Sequence, residues 1–381
     1  MQVKQIYELV NGITTELLGK SNLVNENLEN VVDVGKELFD NASVDAYVKS
    51  LVNRIGRVIF VNRPYSGNVP SVLMDSWEFG SVTQKIDAEL PDATENDTWG
   101  LTDKQEYNPN IFYQPKVTNK FFNNKVTFEI PMSFTERQVK QSFNSANELN
   151  AFISMIYNAV DKSFTVKVDG LIMRTINNMI AETLAVKTAN IRAVNLLKDY
   201  KTLTGNNTLT VATALTDKEF IRYASKTMTV YADRLGKMST LFNIGGKSRF
   251  TSKDYLKGVM LSDFKASIDA YAMADIRHNE YLTFPTCDIV PFWQGSGTNY
   301  DFTSVSSINV VTSSKQTVTQ SGILAILFDK EALGVTNLDK RVTTSYNAKG
   351  EFFNNFYKMD CGSFNDLNEN FVVFYIADTT A

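Results

Sequence analysis

The chain has 381 residues, of which 43% are hydrophobic and 21% are charged, and its formal net charge is −4. This composition is ordinary for a folded protein and excludes a disordered or fibrous chain. Because the length exceeds the roughly 250 to 300 residues that one hydrophobic core usually serves, we expect two lobes, or one lobe with long extensions. The acidic balance argues against a protein that holds nucleic acid through clustered Lys and Arg side chains.

The sequence gives no sign of a membrane span, a secretion signal or a cysteine-based site. No apolar run reaches the roughly 18 residues that cross a bilayer, and the N-terminal segment lacks a basic head followed by an apolar core. Cys287 and Cys361 are the two cysteines, and neither belongs to a CxxC pair. We therefore expect reduced thiols, with neither a disulfide framework nor a zinc site.

The N-terminal segment is predicted to form an arm of short amphipathic helices. Residues 3–18 place Ile6, Leu9 and Leu17 on one helical face, and residues 24–39 repeat the pattern less regularly. Because short amphipathic helices need packing from elsewhere, a neighbouring subunit is a candidate for the surface that they contact.

A further helix and a long hairpin are predicted next. Ser43 is a candidate N-cap and Gly56 a candidate C-terminal glycine of the helix, and a strand over 57–61 is expected to follow. Residues 62–124 hold five of the eight prolines and many aromatic residues. Since this stretch is too interrupted for a core and too aromatic for a disordered linker, we expect a projecting hairpin whose return strand is residues 125–130, closed by Pro131.

The strongest local pattern predicts one very long helix. A capping box begins at Ser145, after which apolar residues keep one face to about Leu184, with Gly170 as the candidate position for a break or kink. About forty residues at 1.5 Å each would span roughly 60 Å, far more than the average helix.

Residues 186–322 are predicted to form an α/β lobe, followed by a β-rich tail. A capping box at residues 216–219 opens a helix that ends at Gly236. A strand over 240–244 and a helix from Thr251 to Tyr271 are expected to follow. The remaining predicted strands are residues 289–290, 308–311, 323–328, 352–359 and 371–376.

Catalytic or metal chemistry finds little support in the sequence. His278 is the single histidine, which disfavours both a Ser–His or Cys–His hydrolase and a histidine metal site. Residues 245–248 resemble the end of a phosphate-binding loop, but the earlier glycine that opens such a loop is missing, so a turn after a strand is favoured. The acidic run from Asp87 to Asp97 lacks the spacing of a calcium loop and is interpreted as a solvated hairpin tip. Paired carboxylates for glycoside hydrolysis stay open, because their separation is set in space.

The order of these elements resembles that of the major capsid proteins of tailed bacteriophages, over almost the whole chain. The stretches most similar to capsid proteins of small short-tailed phages (podoviruses) of Gram-positive hosts are residues 47–58, 149–180, 323–331, 352–357 and 371–376. The resemblance implies an α+β fold of the Hong Kong 97 type. Its implied divisions are an N-terminal arm (1–42), the start of the peripheral domain (43–61), an extended β-hairpin loop (62–124), the peripheral domain with its long spine helix (125–185), the axial domain (186–322) and the return strands of the peripheral domain (323–381).

The resemblance also implies a structural function, without catalysis, cofactor or metal. We expect a subunit that self-assembles in the host bacterial cytoplasm, as pentamers and hexamers, into the icosahedral head that encloses double-stranded DNA without sequence-specific binding. Expected partners are many copies of the chain, a portal and a separate scaffolding protein, since only a short segment precedes the core. No decoration domain is expected after the last strand. The residues expected at intersubunit contacts are Ile6, Leu9, Leu17, Trp77, Phe79, Trp99, Phe112 and Tyr113.

Two alternatives stay open at this point. An encapsulin-like nanocompartment subunit would share the fold but enclose enzymes. A carbohydrate-binding or carbohydrate-active protein is suggested only by the aromatic content and the scattered carboxylates.

Overall fold

The structure is a computed structural model that describes residues 3–61, 69–74, 83–91, 93, 95, 110–186, 191–273, 287–293 and 306–378. The helices of this part are α1 (Val3–Leu18), α2 (Val31–Asn41), α3 (Val44–Val61), α4 (Glu136–Ser142), α5 (Ala146–Ala185), α6 (Leu196–Thr204), α7 (Val211–Ala214), α8 (Lys218–Leu235) and α9 (Ser262–Ile268). The strands are β1 (Thr83–Ala88), β2 (Val117–Phe122), β3 (Lys125–Thr135), β4 (Ala193–Asn195), β5 (Leu256–Leu261), β6 (Cys287–Val290), β7 (Ser307–Val311), β8 (Thr317–Ser321), β9 (Ile323–Asp329), β10 (Leu333–Asn347), β11 (Phe352–Asn365) and β12 (Phe371–Tyr375). The described residues also include a 3₁₀ turn at Pro70–Val72 and a π turn at Asp269–Met273. The predicted α+β fold class is confirmed.

Helix α5 is the longest element, as predicted, and it continues through Gly170. The Ser145 hydroxyl accepts a hydrogen bond from the Glu148 backbone N–H at 3.2 Å, which satisfies one of the free donors at the helix start. In the first half one face is buried, whereas from Val168 onward residues on most sides of the helix are buried. The second half therefore lies inside the molecule, where α5 contacts β10, β11 and β12.

A three-stranded antiparallel sheet of order β10-β11-β3 packs against α3 and α5. The strand predicted over 125–130 is confirmed, but it does not end at Pro131 and instead runs to Thr135. Pro131 lies opposite Phe356 on an edge strand of this sheet, where a missing N–H costs no ladder hydrogen bond on the free side. The assignment of β3 as the return strand of the hairpin is wrong, because β3 pairs with β11 and the return strand is β2.

A five-stranded mixed sheet of order β4-β12-β9-β5-β6 is the largest sheet of the described residues. Every residue of the central strand β9 is buried, which is the pattern of a strand covered on both faces. Helices α6 and α9 contact this sheet, and the ring of Tyr231 in α8 meets that of Phe374 edge-on at 5.4 Å. The last strand of the chain therefore completes the same sheet as the strands of the predicted α/β lobe.

Three predicted elements are wrong. Residues 57–61 continue α3, because the strand propensity of this β-branched run is weaker than the continuity of the helix. Residues 240–244 form a loop and not a strand, and the Asn243 side chain bonds both the N–H and the carbonyl of Lys247. The helix predicted from Thr251 is strand β5 followed by α9, since a short buried apolar run fits a strand as well as a helix.

The N-terminal helices pack on their own subunit. Helix α1 contacts α2, α3 and α5, and its apolar stripe is buried. The Asn11 side chain accepts from the Val24 N–H at 2.9 Å and donates to the Val24 carbonyl at 3.3 Å, which fixes the return of the chain after α1. The surface that these helices need is thus supplied by the same chain.

Candidate assembly surfaces

Strands β1 and β2 form a hairpin sheet that is separate from the other sheets of the described chain. Its register places Lys85 opposite Lys120 and Ile86 opposite Asn119. Because side chains alternate along a strand, residues paired in this way share a face. We call the face of Lys85, Asp87 and Lys120 the inner face, and that of Ile86 and Asn119 the outer face.

The inner face lies against two carboxylates from the segment that joins β11 to β12. The Lys85 Nζ atom lies 2.6 Å from Glu369 Oε1, 3.3 Å from Asp366 Oδ2 and 3.1 Å from Glu331 Oε2. The Lys120 Nζ atom lies 2.8 Å from Asp366 Oδ1. Since only 2% of the Asp366 side chain and 7% of the Glu369 side chain are exposed, these carboxylates depend on the two lysines for charge compensation.

The loop before β5 adds two more cations to the inner face. The Arg249 guanidinium binds the Asp87 carboxylate, and its Nε atom lies 3.1 Å from Glu369 Oε1. The Lys247 ammonium binds the Glu89 carboxylate. Three distant parts of the chain therefore meet here. The group that we call the ionic cluster consists of Lys85, Lys120, Arg249, Asp366 and Glu369.

The two buried carboxylates of the ionic cluster have pKa shifts of opposite sign. Burial raises the pKa of Asp366, but the hydrogen bond from Lys120 and the charges of both lysines outweigh it, so the pKa lies below its ordinary value. Burial also raises the pKa of Glu369, and the hydrogen bond and charge of Lys85 with the charge of Arg249 offset only part of that increase. Asp366 is thus the more firmly ionised member.

Apolar contacts contribute little to the attachment of the hairpin. The Phe122 ring packs on the Phe364 ring at a centroid distance of 5.0 Å, and the Lys120 ammonium lies 5.2 Å from the Phe122 centroid. No described side chain of β1 or β2 is buried. Among the described residues, the ionic cluster therefore makes the main contact between the hairpin and the rest of its subunit.

The outer face carries large apolar side chains that remain in solvent. The exposed fractions are 66% for Ile86, 58% for Val117 and 60% for Phe121, and Leu90 just beyond β1 is 61% exposed. These residues make up what we call the outer strip. Contiguous exposed apolar side chains of this kind form a candidate contact surface.

The predicted contact residues fall into three groups. Ile6 and Leu9 are buried within this chain, and Leu17 is half-buried against the same core. Phe112 and Tyr113, on the segment leading to β2, are 85% and 81% exposed and are free to contact another molecule. The other members of the set, Trp77, Phe79 and Trp99, lie outside the described residues.

Sequence reasoning missed the ionic cluster and the outer strip. The interpretation of the acidic run as a solvated tip is wrong for Asp87 and Glu89, which bind Arg249 and Lys247. The available signal was the strict alternation of charged and apolar residues over 85–90, which marks a two-faced strand. That alternation does not show which face of the strand packs against the rest of the subunit.

The part of the chain that the structure describes offers neither a candidate metal site nor a candidate membrane span. Residues 245–248 form a turn in which the Gly245 N–H donates to the Leu367 carbonyl at 2.8 Å, as favoured over a phosphate loop, and Gly246 has a positive φ of 65°. Within the described ranges no group of His, Cys, Asp and Glu side chains is placed to hold a metal ion. Of the described helices, none has the length and apolar character of a membrane span. His278 lies outside the described residues.

Comparison with known proteins finds phage capsid proteins. The family model described as Phi29-like phage major capsid protein matches residues 10–375. The chain is similar to one in the capsid structure of Staphylococcus phage Andhra, with 11% identity, a TM-score of 0.54 and coverage of 83% of this chain and 86% of that one. It is also similar to a chain in the structure of head fiber and inner core protein gp22 of native bacteriophage P68, with 10% identity, a TM-score of 0.51 and the same coverage. No curated protein matches the sequence.

Proposed function

Because the chain belongs to the Phi29-like phage major capsid protein family, we propose that it assembles as pentamers and hexamers into the icosahedral head that encloses the double-stranded DNA of a short-tailed phage. The chain is a phage major capsid protein of the virion, and its fold is the Hong Kong 97-type capsid fold. We further propose that the phage is a podovirus, that the subunit has no catalytic activity, and that it assembles in the cytoplasm of the host bacterium.

The observation that supports this proposal best is the hairpin. Its two strands form a sheet of their own, separate from the other sheets of the described residues. An isolated two-stranded sheet is at best marginally stable in water. Its outer strip and the exposed Phe112 and Tyr113 give it apolar area that the described part of its own chain leaves exposed. Surfaces of this kind mark protein–protein contacts in soluble proteins.

The charge of the chain supports a container and not a DNA-binding protein. A subunit with a net charge of −4, present in many copies, would not hold packed DNA tightly through its own surface. We propose that a separate scaffolding protein and a portal act with it in assembly. We also retain the division into arm, extended loop, peripheral domain and axial domain as a proposal for this chain.

The intersubunit contacts proposed from the sequence divide by the burial of their residues. Phe112 and Tyr113 remain good candidates because they are exposed. Ile6 and Leu9 could contact a neighbour only if α1 left the core that now covers them.

Particle size tests the proposed function directly. The full chain is expressed together with the other head-protein genes of the same phage, and the product is sedimented and imaged by electron microscopy. We expect closed icosahedral particles with rings of five and six subunits. A product that remains a monomer or small oligomer, with a folded circular dichroism spectrum, would contradict the proposal.

A further inference from the structure

The loop between α8 and β5 carries an exposed apolar patch. Ser239 and Arg249 form an antiparallel bridge, so the residues next to them, Met238 and Phe250, lie together on the opposite side of the loop. The exposed fractions are 50% for Met238, 53% for Leu241, 55% for Phe250 and 50% for Tyr255. We call these four residues the loop patch. Contiguous apolar side chains that remain in solvent mark a contact surface.

The loop patch borders a pocket of about 330 Å³ between this loop, the inner face of the hairpin and the end of β9. Phe250 and Tyr255 belong to the wall of the pocket. Its charged lining consists of four carboxylates, those of Asp87, Asp329, Glu331 and Glu369, and two cations, Lys85 and Arg249. Two cations against four carboxylates leave an excess of two negative charges, so we call this the acidic pocket.

The carboxylates of the acidic pocket raise one another's pKa values. Burial raises the pKa of Asp329, and the charge of Glu331 adds to the increase. Burial likewise raises the pKa of Glu369, and the charge of Asp329 adds to it. An additional positive charge would therefore be stabilised in the pocket. Because 53% of the Glu331 side chain is exposed, this carboxylate lies at the rim, where an incoming group meets it first.

Apolar surface beside excess negative charge fits one kind of ligand group, a long cationic side chain. The alkyl stem of a Lys or Arg packs on apolar surface while its charged end reaches a carboxylate, and an aromatic ring adds a favourable contact with the cation. DNA does not fit, because the pocket would repel its phosphates. Contact with the same patch of a second copy does not fit either, because it would bring two acidic pockets together, and like charges at an interface cost several kcal/mol.

We propose that the loop patch and the acidic pocket bind a basic, amphipathic segment of a separate protein. Apolar side chains of that segment cover the loop patch, and a Lys or Arg side chain of the same segment occupies the acidic pocket. The inference rests on the proposed function for the source of this partner, which is another protein of the phage head. Complementary charge at such a contact favours the right partner and speeds association.

Photo-cross-linking in the full chain identifies the partner. A photoreactive phenylalanine analogue replaces Phe250, the chain is co-expressed with the other head-protein genes of the phage, and cross-linked peptides are identified by mass spectrometry after irradiation. We expect adducts to another head protein, at a peptide that carries Lys or Arg beside apolar residues. Adducts only between copies of this chain, adducts only within one chain, adducts to a peptide without Lys or Arg, or no adducts would each overturn the inference.

Charge reversal at the rim tests the role of the acidic pocket. In Glu331→Lys we expect the yield of the adduct to fall about tenfold, which corresponds to about 1.4 kcal/mol. The matched control is Glu219→Lys, which makes the same change of net charge at the far end of α8, roughly 27 Å along the helix, and should leave the yield unchanged.

A milder variant keeps this test readable if Glu331→Lys destabilises the fold through its lost contact with Lys85. Glu331→Gln keeps the side-chain shape, and its adduct yield should fall about threefold, as for loss of one partly exposed ion pair. Equal yields from the position 331 variants and the Glu219→Lys control would overturn the inference. If the wild type gives the expected adduct but no closed particles, the proposed function fails and the docking surface stands.

Discussion

Lys85 and Lys120 lie directly opposite each other on β1 and β2, and both ammonium groups bind the same carboxylate, that of Asp366. Like charges in opposite positions destabilise a β-ladder. The pairing is tolerated because Asp366 lies between the two cations at 3.3 Å and 2.8 Å. One buried carboxylate thus holds both strands of the hairpin to the body of the subunit.

Replacing Asp366 with Asn should loosen the hairpin without unfolding the subunit. The change keeps the side-chain shape but removes the charge that both lysines bind. We expect a loss of about 1.5 to 3 kcal/mol in the free energy of unfolding, the range for a hydrogen bond to a charged group. Denaturant titration measures this loss, and limited proteolysis should show faster cleavage between β1 and β2. As a control, Asp269→Asn removes only an exposed pair with Lys265 and should cost well under 1 kcal/mol. Equal effects of the two variants would contradict the assigned role.

The pH dependence of stability should differ in sign between Asp366 and Glu369. The pKa of Asp366 is lowered in the fold, so its ionised form stabilises the fold above the unfolded pKa of about 3.9, and that contribution is lost as the pH falls through the folded pKa. The pKa of Glu369 is raised, so the wild type should lose stability relative to Glu369→Gln as the pH rises from about 4.3 to the folded pKa.

Unfolding titrations of the wild type, Asp366→Asn and Glu369→Gln at a series of pH values measure both effects. The advantage of the wild type over Asp366→Asn should stay constant from pH 7 to about pH 4.5 and then shrink. An advantage that already shrinks near pH 6 would show that Asp366 is not the strongly ionised member of the ionic cluster.

Patterns that are local in sequence predicted the fold best. The cap at Ser145 and the stripe that follows it gave the bounds of α5 to within a residue or two, and the continuous apolar run gave the buried strand β9. These patterns predict structure well because an N-cap side chain bonds within one turn of its own helix, and a strand that is covered on both faces must be apolar throughout.

The ionic cluster could not be predicted in the same way. Lys85, Arg249 and Glu369 are brought together only by the tertiary fold, and each one alone resembles an ordinary surface charge. Strand β2 alternates weakly because Asn119 lies among its outer residues, so the sequence pattern favours β3 as the return strand of the hairpin.

Removing the cap of the long helix should have a measurable cost. In Ser145→Ala the Glu148 N–H loses its side-chain acceptor, and we expect a loss of about 1 kcal/mol in the free energy of unfolding. Ser163→Ala, at an exposed position in the middle of α5, is the control and should be neutral or slightly stabilising, because Ala is the better helix former. Chemical denaturation of both variants checks the difference, and a neutral Ser145→Ala would mean that the cap is not formed.

Two glycines with similar positive φ angles should respond differently to alanine. Gly205 and Gly322 have φ values of 74° and 68°, but a Cβ at Gly205 meets nothing within 4 Å, whereas one at Gly322 would lie 2.5 Å from the Ile376 carbonyl oxygen. Gly205→Ala should cost about 1 to 2 kcal/mol from the left-handed conformation alone. Gly322→Ala should cost clearly more, since it also forces apart the Ile376 N–H and Gly322 carbonyl hydrogen bond of 2.9 Å. Equal unfolding midpoints for the two variants would contradict the close approach.

Replacing the hairpin by a tight turn should abolish assembly and spare the fold. Thr83 and Phe122 are register partners, so an Asn-Gly turn can join them in place of residues 84–121. No described side chain of β1 or β2 is buried, and the ionic cluster would exchange its lysines for water, so a subunit with native-like circular dichroism and a cooperative melt is expected. Sedimentation with the other head proteins should then find no closed particles. Co-expression with the wild-type chain is the control. A folded subunit without a hairpin should either be excluded from wild-type heads or reduce their number. Normal heads built from the shortened chain alone would show that the hairpin makes no essential contact, and an unfolded product would show that it belongs to the core of the subunit.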